Sequence, residues 1–292
     1  MSARSPRDGR VRLALPNKGR LAQPAVTLVR EAGFEFEQDS RQLFTPCQNY
    51  PLDLLFVRAE DIGEYTQDGV VDLGITGSNL IEEAGARVER GLNLGFGRCR
   101  LQVAVPTGGQ ITSPSDLNGQ VVATSHPRTT AAYLEGHNVS ARLIEVNGAV
   151  EVAPLLGVAD AIVDLVATGT TLATNGLRPI ATVLESEAEL VRNSELPPDR
   201  IRPCEQVTLM LASVIAGRGK KYLMMNAPTA CLPGIREVIP GMGSPSVMQL
   251  ADPGMVAIHA VVDATGLWEL LGPLRDAGAS SILVLPIEQL IL

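Results

Sequence analysis

Residues 162–170 read Ile-Val-Asp-Leu-Val-Ala-Thr-Gly-Thr, and residues 70–78 carry nearly the same run, Val-Val-Asp-Leu-Gly-Ile-Thr-Gly-Ser. Each copy is a short apolar, β-branched segment with one aspartate. A Thr-Gly-hydroxyl turn follows, and then residues that can begin a helix. This pattern is typical of a buried parallel strand that delivers a loop to a ligand. The repeat therefore predicts two similar lobes that face one cleft.

Strand-like runs alternate with helical periods through residue 192, which favours an α/β protein with parallel sheets. The predicted strands cover residues 11–15, 52–57, 71–75, 101–105, 121–124, 142–146 and 162–166. A first helix is expected from about Leu21, with Pro24 in its first turn and Gly33 closing it. A long helix is expected over residues 197–217.

From residue 222 the predicted order is β-α-β-β-α-β, the ferredoxin-like pattern. Its strands are expected at residues 222–226, 246–250, 256–262 and 281–285, and its helices at 228–239 and 265–277. One apolar sheet face of so small a module needs covering, so we expect it to dock on another subunit. The predicted division is a first lobe from residues 1–108 and 193–217, a second lobe from 109–192, and a third domain from 218–292.

The composition suits a globular cytoplasmic protein. The chain has 292 residues, of which 45% are hydrophobic and 19% charged. Its first ten residues are polar and basic, without a signal-peptide apolar core, and no apolar run approaches the roughly 20 residues that span a bilayer. The net charge of −8 and the 3% aromatic content oppose a nucleic-acid surface. The cysteines and histidines lack metal-ligand spacing, so no zinc site or Cys-His pair is predicted.

The strongest local signal is the turn after the second repeat. Free backbone N–H groups at a helix start, with the hydroxyls of Thr168, Thr170 and Thr171, would form an uncharged phosphate cradle. Asp164 and Glu151 would accept hydrogen bonds from sugar hydroxyls or hold magnesium. The alternative is a helix cap with a satisfied strand-end aspartate.

Cations on the first strand-to-helix loop are the other candidates. Lys18 and Arg20 flank Gly19, and two cations in one short turn suit a polyphosphate, although a solvated loop is the alternative. Residues 72–79 would form a second anion or ribose loop, or a plain strand end with a turn. Two further arginines that end strands are candidates to face the cleft, Arg58 and Arg98.

Several stretches resemble the ATP phosphoribosyltransferase family, which starts histidine biosynthesis. Residues 15–21, 71–77 and above all 148–172 are similar to its catalytic part, and residues 221–225 and 278–286 to the C-terminal module of its long form. The resemblance implies lobes like those of type II periplasmic binding proteins and a third, regulatory domain that binds histidine as feedback inhibitor. It also implies magnesium, and active dimers that assemble into hexamers. One departure is His126, where the family often has tyrosine.

The resemblance also implies roles for residues. Those for phosphoribosyl pyrophosphate are Asp164, Ala167, Thr168, Gly169, Thr170 and Thr171. Those for ATP are Lys18, Gly19, Arg20, Arg58, Asp72, Thr76 and Gly77. The implied catalytic residues are Lys18, Arg20, Glu151 and Asp164, of which Glu151 and Asp164 would hold magnesium largely through the substrate. The implied histidine site uses Met242, Ser246 and Ser281, and we expect it between subunits.

The expected reaction is attack by adenine N1 of ATP on C1 of the phosphoribosyl group, with release of pyrophosphate. Two other interpretations fit the same pattern. One is a non-catalytic two-lobed protein that binds small anions and carries an amino-acid sensor domain, because fold alone does not decide function. The other is a sensor module attached to a different enzyme. The paired cations and the added module argue against a simple binding protein.

Overall fold

The computed structural model describes residues 9–37, 42–239 and 245–291. The chain divides into two compact units, Met1–Thr208 and Leu209–Leu292. Among the described residues, none of the helices is both long and apolar enough to cross a bilayer.

A first sheet of the Met1–Thr208 unit has the strand order β2-β3-β1-β4-β11-β5. Its strands are β1 (Val11–Pro16), β2 (Phe44–Pro46), β3 (Leu52–Val57), β4 (Leu73–Gly77), β5 (Val88–Asn93) and β11 (Ala188–Asn193). Strands β3, β1 and β4 run parallel, whereas β2, β11 and β5 each run antiparallel to a neighbour. The helices of this lobe are α1 (Ala22–Glu31), α2 (Ile62–Gln67) and α3 (Ser78–Ala84).

Helix α1 shows why the strand-to-helix loop before it is fixed. Ala25, Leu28 and Val29 on one face of α1 are fully buried, so the helix is amphipathic and packs on the sheet. The chain leaves the helix through Gly33, whose φ of +88° is a left-handed conformation that suits glycine. The first helix is therefore confirmed, and it starts one residue after Leu21.

A second sheet has the order β10-β6-β9-β7-β8. Its strands are β6 (Cys99–Pro106), β7 (Val121–Thr124), β8 (Arg142–Glu145), β9 (Ala161–Val166) and β10 (Leu177–Ser186). The helices of this lobe are α4 (Pro127–Gly136) and α5 (Thr170–Thr174), with 3₁₀ turns at Pro114–Leu117 and Val150–Val152. Strands β8, β7 and β9 are parallel, whereas β6 and β10 are antiparallel to their neighbours.

The two copies of the repeat occupy corresponding places in the two sheets. Strand β4 lies between a parallel partner, β1, and an antiparallel strand, β11. Strand β9 lies in the same way between β7 and the antiparallel β6. The prediction of two similar lobes is confirmed.

The structure corrects details of the predicted organisation. Strand β6, assigned from sequence to the first lobe, belongs to the second sheet, and β11, assigned mostly to the second lobe, belongs to the first. Both strands directly follow a crossing between the lobes. They enter their sheets antiparallel, so the expectation of purely parallel sheets is wrong. Strands β2, β5, β10 and β11 were not predicted.

The Leu209–Leu292 unit contains the sheet β13-β14-β12-β15, in which each neighbouring pair is antiparallel. Its strands are β12 (Lys220–Pro228), β13 (Ser246–Gln249), β14 (Met255–Asp263) and β15 (Ser280–Pro286). Its helices are α7 (Leu232–Val238), which follows a 3₁₀ turn at Thr229–Cys231, and α8 (Leu267–Asp276). Helix α6 (Pro198–Gly217) spans the boundary between the units. The order β-α-β-β-α-β is the predicted ferredoxin-like one and is confirmed.

One face of this third sheet is covered and the other is open. Leu223, Ile258 and Leu274 belong to a core between the sheet and its helices. Leu283 and Leu285 alternate with the residues of that face and are exposed. The open apolar face agrees with the expectation that the module needs a covering surface.

Candidate active site

A cavity of about 700 Å³ opens between the two lobes of the Met1–Thr208 unit. Its lining residues follow the carboxyl ends of strands, where α/β sheets hold ligands. They are Lys18, Gly19, Arg20, Leu21, Ala59, Glu60, Asn79, Leu80, Glu83, Ala84, Ser125, His126, Asn147, Gly148 and Leu165. The volume is in the range that holds nucleotide-sized ligands.

The loop between β1 and α1 brings the predicted cations to this cavity. Gly19 adopts a φ of +81°, which lets the chain turn sharply between Lys18 and Arg20. Arg20 is held in place, because its guanidinium donates to the Gly97 carbonyl at 2.6 Å and contacts Cys99 Sγ at 2.9 Å. Within residues 9–37, 42–239 and 245–291, Lys18 makes no hydrogen bond or ion pair, so its charge is available to a ligand.

The turn after β4 is a support for the cavity wall. The Thr76 hydroxyl is buried and donates to the Ala59 carbonyl at 2.7 Å, which ties the end of β4 to the loop after β3. A Cβ at Gly77 would lie 2.5 Å from Asn79 Oδ1. The position thus needs glycine so that Asn79 can approach the turn.

The structure does not bring Asp72 to the cavity. This residue precedes β4, at the end of the strand away from the turn, and is 1% exposed. Its carboxylate accepts the Arg12 backbone N–H at 2.8 Å and lies 3.8 Å from the guanidinium of Arg200. Asp72 therefore has structural partners, and it leaves the set of ATP-binding candidates.

The second repeat does present an open turn between β9 and α5. Gly169 has a φ of +81°, and the hydroxyls of Thr168 and Thr170 lie 3.1 Å apart. Ala167, Thr168, Thr170 and Thr171 are exposed. Ala167 also lines a second cavity, of about 550 Å³, together with Ser78, Arg98 and Cys99.

Asp164 lies two residues before the end of β9, beside Ser125. The Ser125 hydroxyl is 3.5 Å from Asp164 Oδ1. Burial raises the pKa of Asp164, and the negative charge of Glu151 raises it further, whereas hydrogen bonds from Leu165 N–H and Ser125 oppose the rise. The interaction with Glu151 shows that the two predicted carboxylates share one region.

The two remaining arginine candidates differ in their surroundings. Arg58 is exposed directly after β3, next to Ala59, which lines the larger cavity. Arg98 lines the smaller cavity, where it pairs with Glu187 at 3.2 Å. Arg98 thus reaches the smaller cavity, whereas Arg58 is a sequence neighbour of the larger cavity but does not line it.

Contacts across the cleft use residues that sequence reasoning missed. The Glu83 carboxylate of α3 accepts the backbone N–H groups of Arg128 and Thr129, at 2.8 Å and 2.9 Å, and so caps helix α4 of the other lobe. His126 Nε2 lies 3.0 Å from Asn79 Nδ2, also across the cleft. A cap supplied from a distant helix leaves no local sequence signal. The sequence marks His126 only as a departure from the tyrosine of the family, and its contact with Asn79 depends on the fold.

The two described residues of the predicted histidine site lie far apart in one copy of the third sheet. Ser246 begins β13 and Ser281 lies in β15, the two opposite edges of the sheet. Three interstrand spacings separate these edges, about 14 Å. Met242, the third predicted residue, lies outside the described residues. A site that uses both serines would need two subunits.

Groups suited to a metal are few. No cluster of three or more His, Cys, Asp or Glu side chains that could hold a metal ion lies among the residues that the structure describes. Asp164 precedes the open turn on β9, and the charge of Glu151 acts on its carboxyl group. Such a pair fits Mg²⁺, which proteins often bind through one or two carboxylates together with substrate phosphates.

Two family models match this chain. The family described as ATP phosphoribosyltransferase matches residues 58–213, and the family described as its C-terminal domain matches residues 217–289. The first range covers the second lobe and the part of the first lobe from residue 58 onward, and the second range covers the ferredoxin-like unit.

Curated relatives match nearly the whole chain. The ATP phosphoribosyltransferase of Methanocella arvoryzae is 42% identical over 283 residues, which cover 96% of this chain and 99% of the relative. That of Halobacterium salinarum is 41% identical, with 96% and 100% covered. A solved structure described as the ATP phosphoribosyl transferase (HisG:HisZ) complex from Thermotoga maritima matches with a TM-score of 0.61 and 28% identity. The match covers 70% of this chain and 98% of that one.

Proposed function

This chain belongs to the ATP phosphoribosyltransferase family, and on that basis we propose that its two substrates meet in the cavity between the lobes, one on each side. As a pentosyltransferase of this family it transfers the phosphoribosyl group of phosphoribosyl pyrophosphate to N1 of ATP adenine. Its two lobes have the type II periplasmic-binding-protein-like fold. The single observation that carries the proposed arrangement is that residues of both lobes line one cavity. Lys18, Gly19 and Arg20 of the first lobe lie on it together with Ser125, Gly148 and Leu165 of the second.

The phosphoribosyl group is assigned to the second lobe. Its 5′-phosphate would bind the turn at Thr168, Gly169, Thr170 and Thr171, with Ala167 at the edge. What supports this is the exposure of the threonines and the left-handed Gly169, which turns the following backbone N–H groups outward. Neutral donors suit a phosphate that must be released after each turnover.

Carboxylates would face the ribose. Asp164 and Glu151 lie in one region, and negative charge there stabilises the oxocarbenium-like character that develops at C1. The same two residues would hold Mg²⁺ together with the pyrophosphate oxygens. The ion, when bound, neutralises charge on the leaving pyrophosphate.

ATP is assigned to the first lobe. Lys18 has no partner among the described residues, and Arg20 is oriented by Gly97 and Cys99. Both cations line the larger cavity, so they would contact triphosphate or pyrophosphate oxygens. Arg58 would extend this positive rim, and the Thr76-Gly77 turn would form its floor.

Phosphoribosyl transfer to adenine N1 mainly requires the protein to align the two substrates. Adenine N1 holds a lone pair, which forms the new bond to C1 while the C1–O bond breaks and its electron pair leaves with pyrophosphate. No nucleophilic side chain is needed. Holding the two reactants in line and managing charge can supply most of the acceleration.

Histidine regulation is assigned to the third domain. Ser246 and Ser281 lie on opposite edges of its sheet, and the open apolar face around Leu283 and Leu285 needs a partner. Both features support a histidine site between subunits of a homo-oligomer, as dimers and hexamers would supply. Inhibition would then act through unequal affinity of histidine for two quaternary states. Because ATP is a cytoplasmic metabolite, we assign the enzyme to the cytoplasm.

The test is a direct assay. The purified protein is incubated with ATP, phosphoribosyl pyrophosphate and Mg²⁺, and the absorbance of the adduct is followed with and without histidine. The proposed site predicts that Asp164→Ala lowers turnover by about 100-fold or more while the fold is kept. Normal turnover in this variant would remove Asp164 from the site. Absence of any adduct with the wild-type protein would instead favour the non-catalytic anion-binding protein.

A further inference from the structure

His126 is held by hydrogen bonds to both its backbone and its ring. The residue is 4% exposed and directly precedes α4. Its backbone N–H donates to Thr124 Oγ1 at 2.9 Å, and its carbonyl accepts the Thr130 N–H at 2.9 Å. The ring therefore has little freedom to move, and both ring nitrogens have polar neighbours.

These neighbours form a hydrogen-bonded row across the cleft. Asn79 Nδ2 of the first lobe lies 3.0 Å from His126 Nε2. His126 Nδ1 lies 2.9 Å from Ser125 Oγ. Ser125 Oγ in turn lies 3.5 Å from Asp164 Oδ1. The row ends on the carboxylate that we assign to the ribose.

The direction of these hydrogen bonds follows from the orientation of the Asn79 amide. The Ser186 hydroxyl donates to Asn79 Oδ1 at 2.8 Å, which leaves Asn79 Nδ2 to face the ring. Nε2 must then accept, so a neutral ring carries its proton on Nδ1 and donates to Ser125. Ser125 Oγ accepts this hydrogen bond and directs its own hydroxyl hydrogen to Asp164.

The charge state agrees with this direction. Burial lowers the pKa of His126, an effect that nearby Arg20 strengthens and Glu83 opposes, so the neutral ring is favoured. A protonated ring would place an N–H against the Asn79 amide group. The neutral form is the one in which every donor meets an acceptor.

We propose that His126 is a positioning residue for phosphoribosyl transfer, which acts through Ser125 to orient the Asp164 carboxylate and links it to Asn79 of the opposite lobe. The proposal rests on the assignment of Asp164 to the phosphoribosyl group. It adds a connection between lobe contact and the alignment of the reacting sugar, because the row exists only when the lobes meet.

The experiment compares kcat and KM for four single variants of the full-length protein. Ser125→Ala and His126→Phe break the row, and each is expected to lower kcat about tenfold with little change in either KM, as for loss of one hydrogen bond to a charged group. His126→Asn places an amide N–H near the position of Nδ1, so it is expected to restore kcat to within about threefold of wild type. His126→Gln places its amide near Nε2 instead and is expected to resemble His126→Phe.

Combined variants separate positioning from packing. The double variant Ser125→Ala/His126→Phe is expected to be no slower than either single variant, because both cut one row. In an Asp164→Asn background, Ser125→Ala is expected to have no further effect. Additive losses, or a His126→Gln variant that is faster than His126→Asn, would overturn the proposal and leave His126 as a simple lobe contact.

The failures of the two assignments are distinguishable. If Asp164→Asn keeps normal kcat, the proposed site falls and the role of His126 falls with it. If Asp164→Asn is slow while Ser125→Ala and His126→Phe turn over like wild type, only the role of His126 is refuted. Thermal melting of each variant reports folding, and should His126→Phe fail to fold, Ser125→Ala and the Asn and Gln variants still decide.

Discussion

Asp72 and Arg200 face each other inside the first unit, with 3.8 Å between carboxylate Oδ2 and guanidinium Nη1, and both are almost completely buried. Arg200 also donates to the Arg10 carbonyl, and Asp72 accepts the Arg12 N–H. The aspartate of the first repeat therefore joins helix α6 to the start of the first sheet. The aspartate of the second repeat, Asp164, lies instead beside the open turn.

Asp72→Asn is expected to destabilise the protein without changing substrate affinity. The substitution removes the buried counter-charge of Arg200 and leaves the exposed Asp199 carboxylate at 3.7 Å. Loss of one partner of a buried pair costs about 3–5 kcal/mol of unfolding free energy. Urea denaturation and the KM values for both substrates measure the two effects. Glu89→Gln serves as the matched control, because it breaks the exposed Arg192–Glu89 pair, worth about 1 kcal/mol at most. A large rise in the KM for ATP with unchanged stability would return Asp72 to the active site.

The contrast between Asp72 and Asp164 shows what sequence could predict and what it could not. The repeat correctly predicts two lobes with a turn and a helix after the third parallel strand of each. It does not fix where the strand begins, since β4 starts after its aspartate whereas β9 contains its own. The equivalent residues Asp72 and Asp164 therefore lie at opposite ends of β4 and β9. The reason is that the pairing of each strand with its neighbours decides where the strand begins.

Several strands, and the direction of others, could not be predicted from the sequence. Strand β10 contains Pro179 and two register irregularities, so its alternation is interrupted. Strand β2 is three residues long and ends in a proline. The direction of a strand also leaves no sequence signal. Strand β6 has the same apolar pattern as the parallel strands, but it runs antiparallel to β9. Residues such as Glu83, whose role depends on a helix of the opposite lobe, follow from the fold alone.

Gly169→Ala is expected to raise the KM for phosphoribosyl pyrophosphate. An alanine would adopt the φ of +81° at a cost of about 1–2 kcal/mol, so the turn would relax and its N–H groups would leave the phosphate direction. Gly119→Ala is the matched control, with a φ of +77° and open space around the added Cβ, in a turn away from β9. Steady-state kinetics on both variants make the comparison, and equal KM values would exclude the turn as the phosphate site.

Lys18→Ala is expected to lower kcat/KM by about 100-fold with no loss of stability. The reason is that Lys18 is exposed and has no partner among the described residues, so the fold does not depend on it, while its charge faces the cavity. Lys220→Ala removes a lysine that pairs with Asp263 in the other unit and is expected to leave the rate unchanged. Equal rates for the two variants would show that Lys18 is a solvated loop residue.

Alkaline pH is expected to destabilise the protein through its buried thiols. Burial raises the pKa of Cys204 to about 12 and that of Cys47 to about 11. The folded state therefore keeps protons that the unfolded chain loses from about pH 8.5, so the unfolding free energy falls as pH rises above that value. Cys204→Ala is expected to weaken this slope between about pH 8 and pH 10, measured by urea denaturation. Val207→Ala, a buried neighbour on α6 without a thiol, is expected to keep the wild-type slope, and equal slopes for all three proteins would contradict the assignment.

Mixed oligomers test where histidine binds. Ser246 and Ser281 lie on opposite edge strands, so a site that uses both takes one serine from each of two subunits. Ser246→Trp and Ser281→Asn are each expected to abolish inhibition while kcat without histidine is unchanged. Asparagine is chosen because it tolerates the φ of +51° at Ser281. When the two variants are co-expressed, some interfaces contain both unaltered serines, and partial inhibition is expected to return. Inhibition that stays absent in the mixture, or that survives in either single variant, would place the histidine site elsewhere.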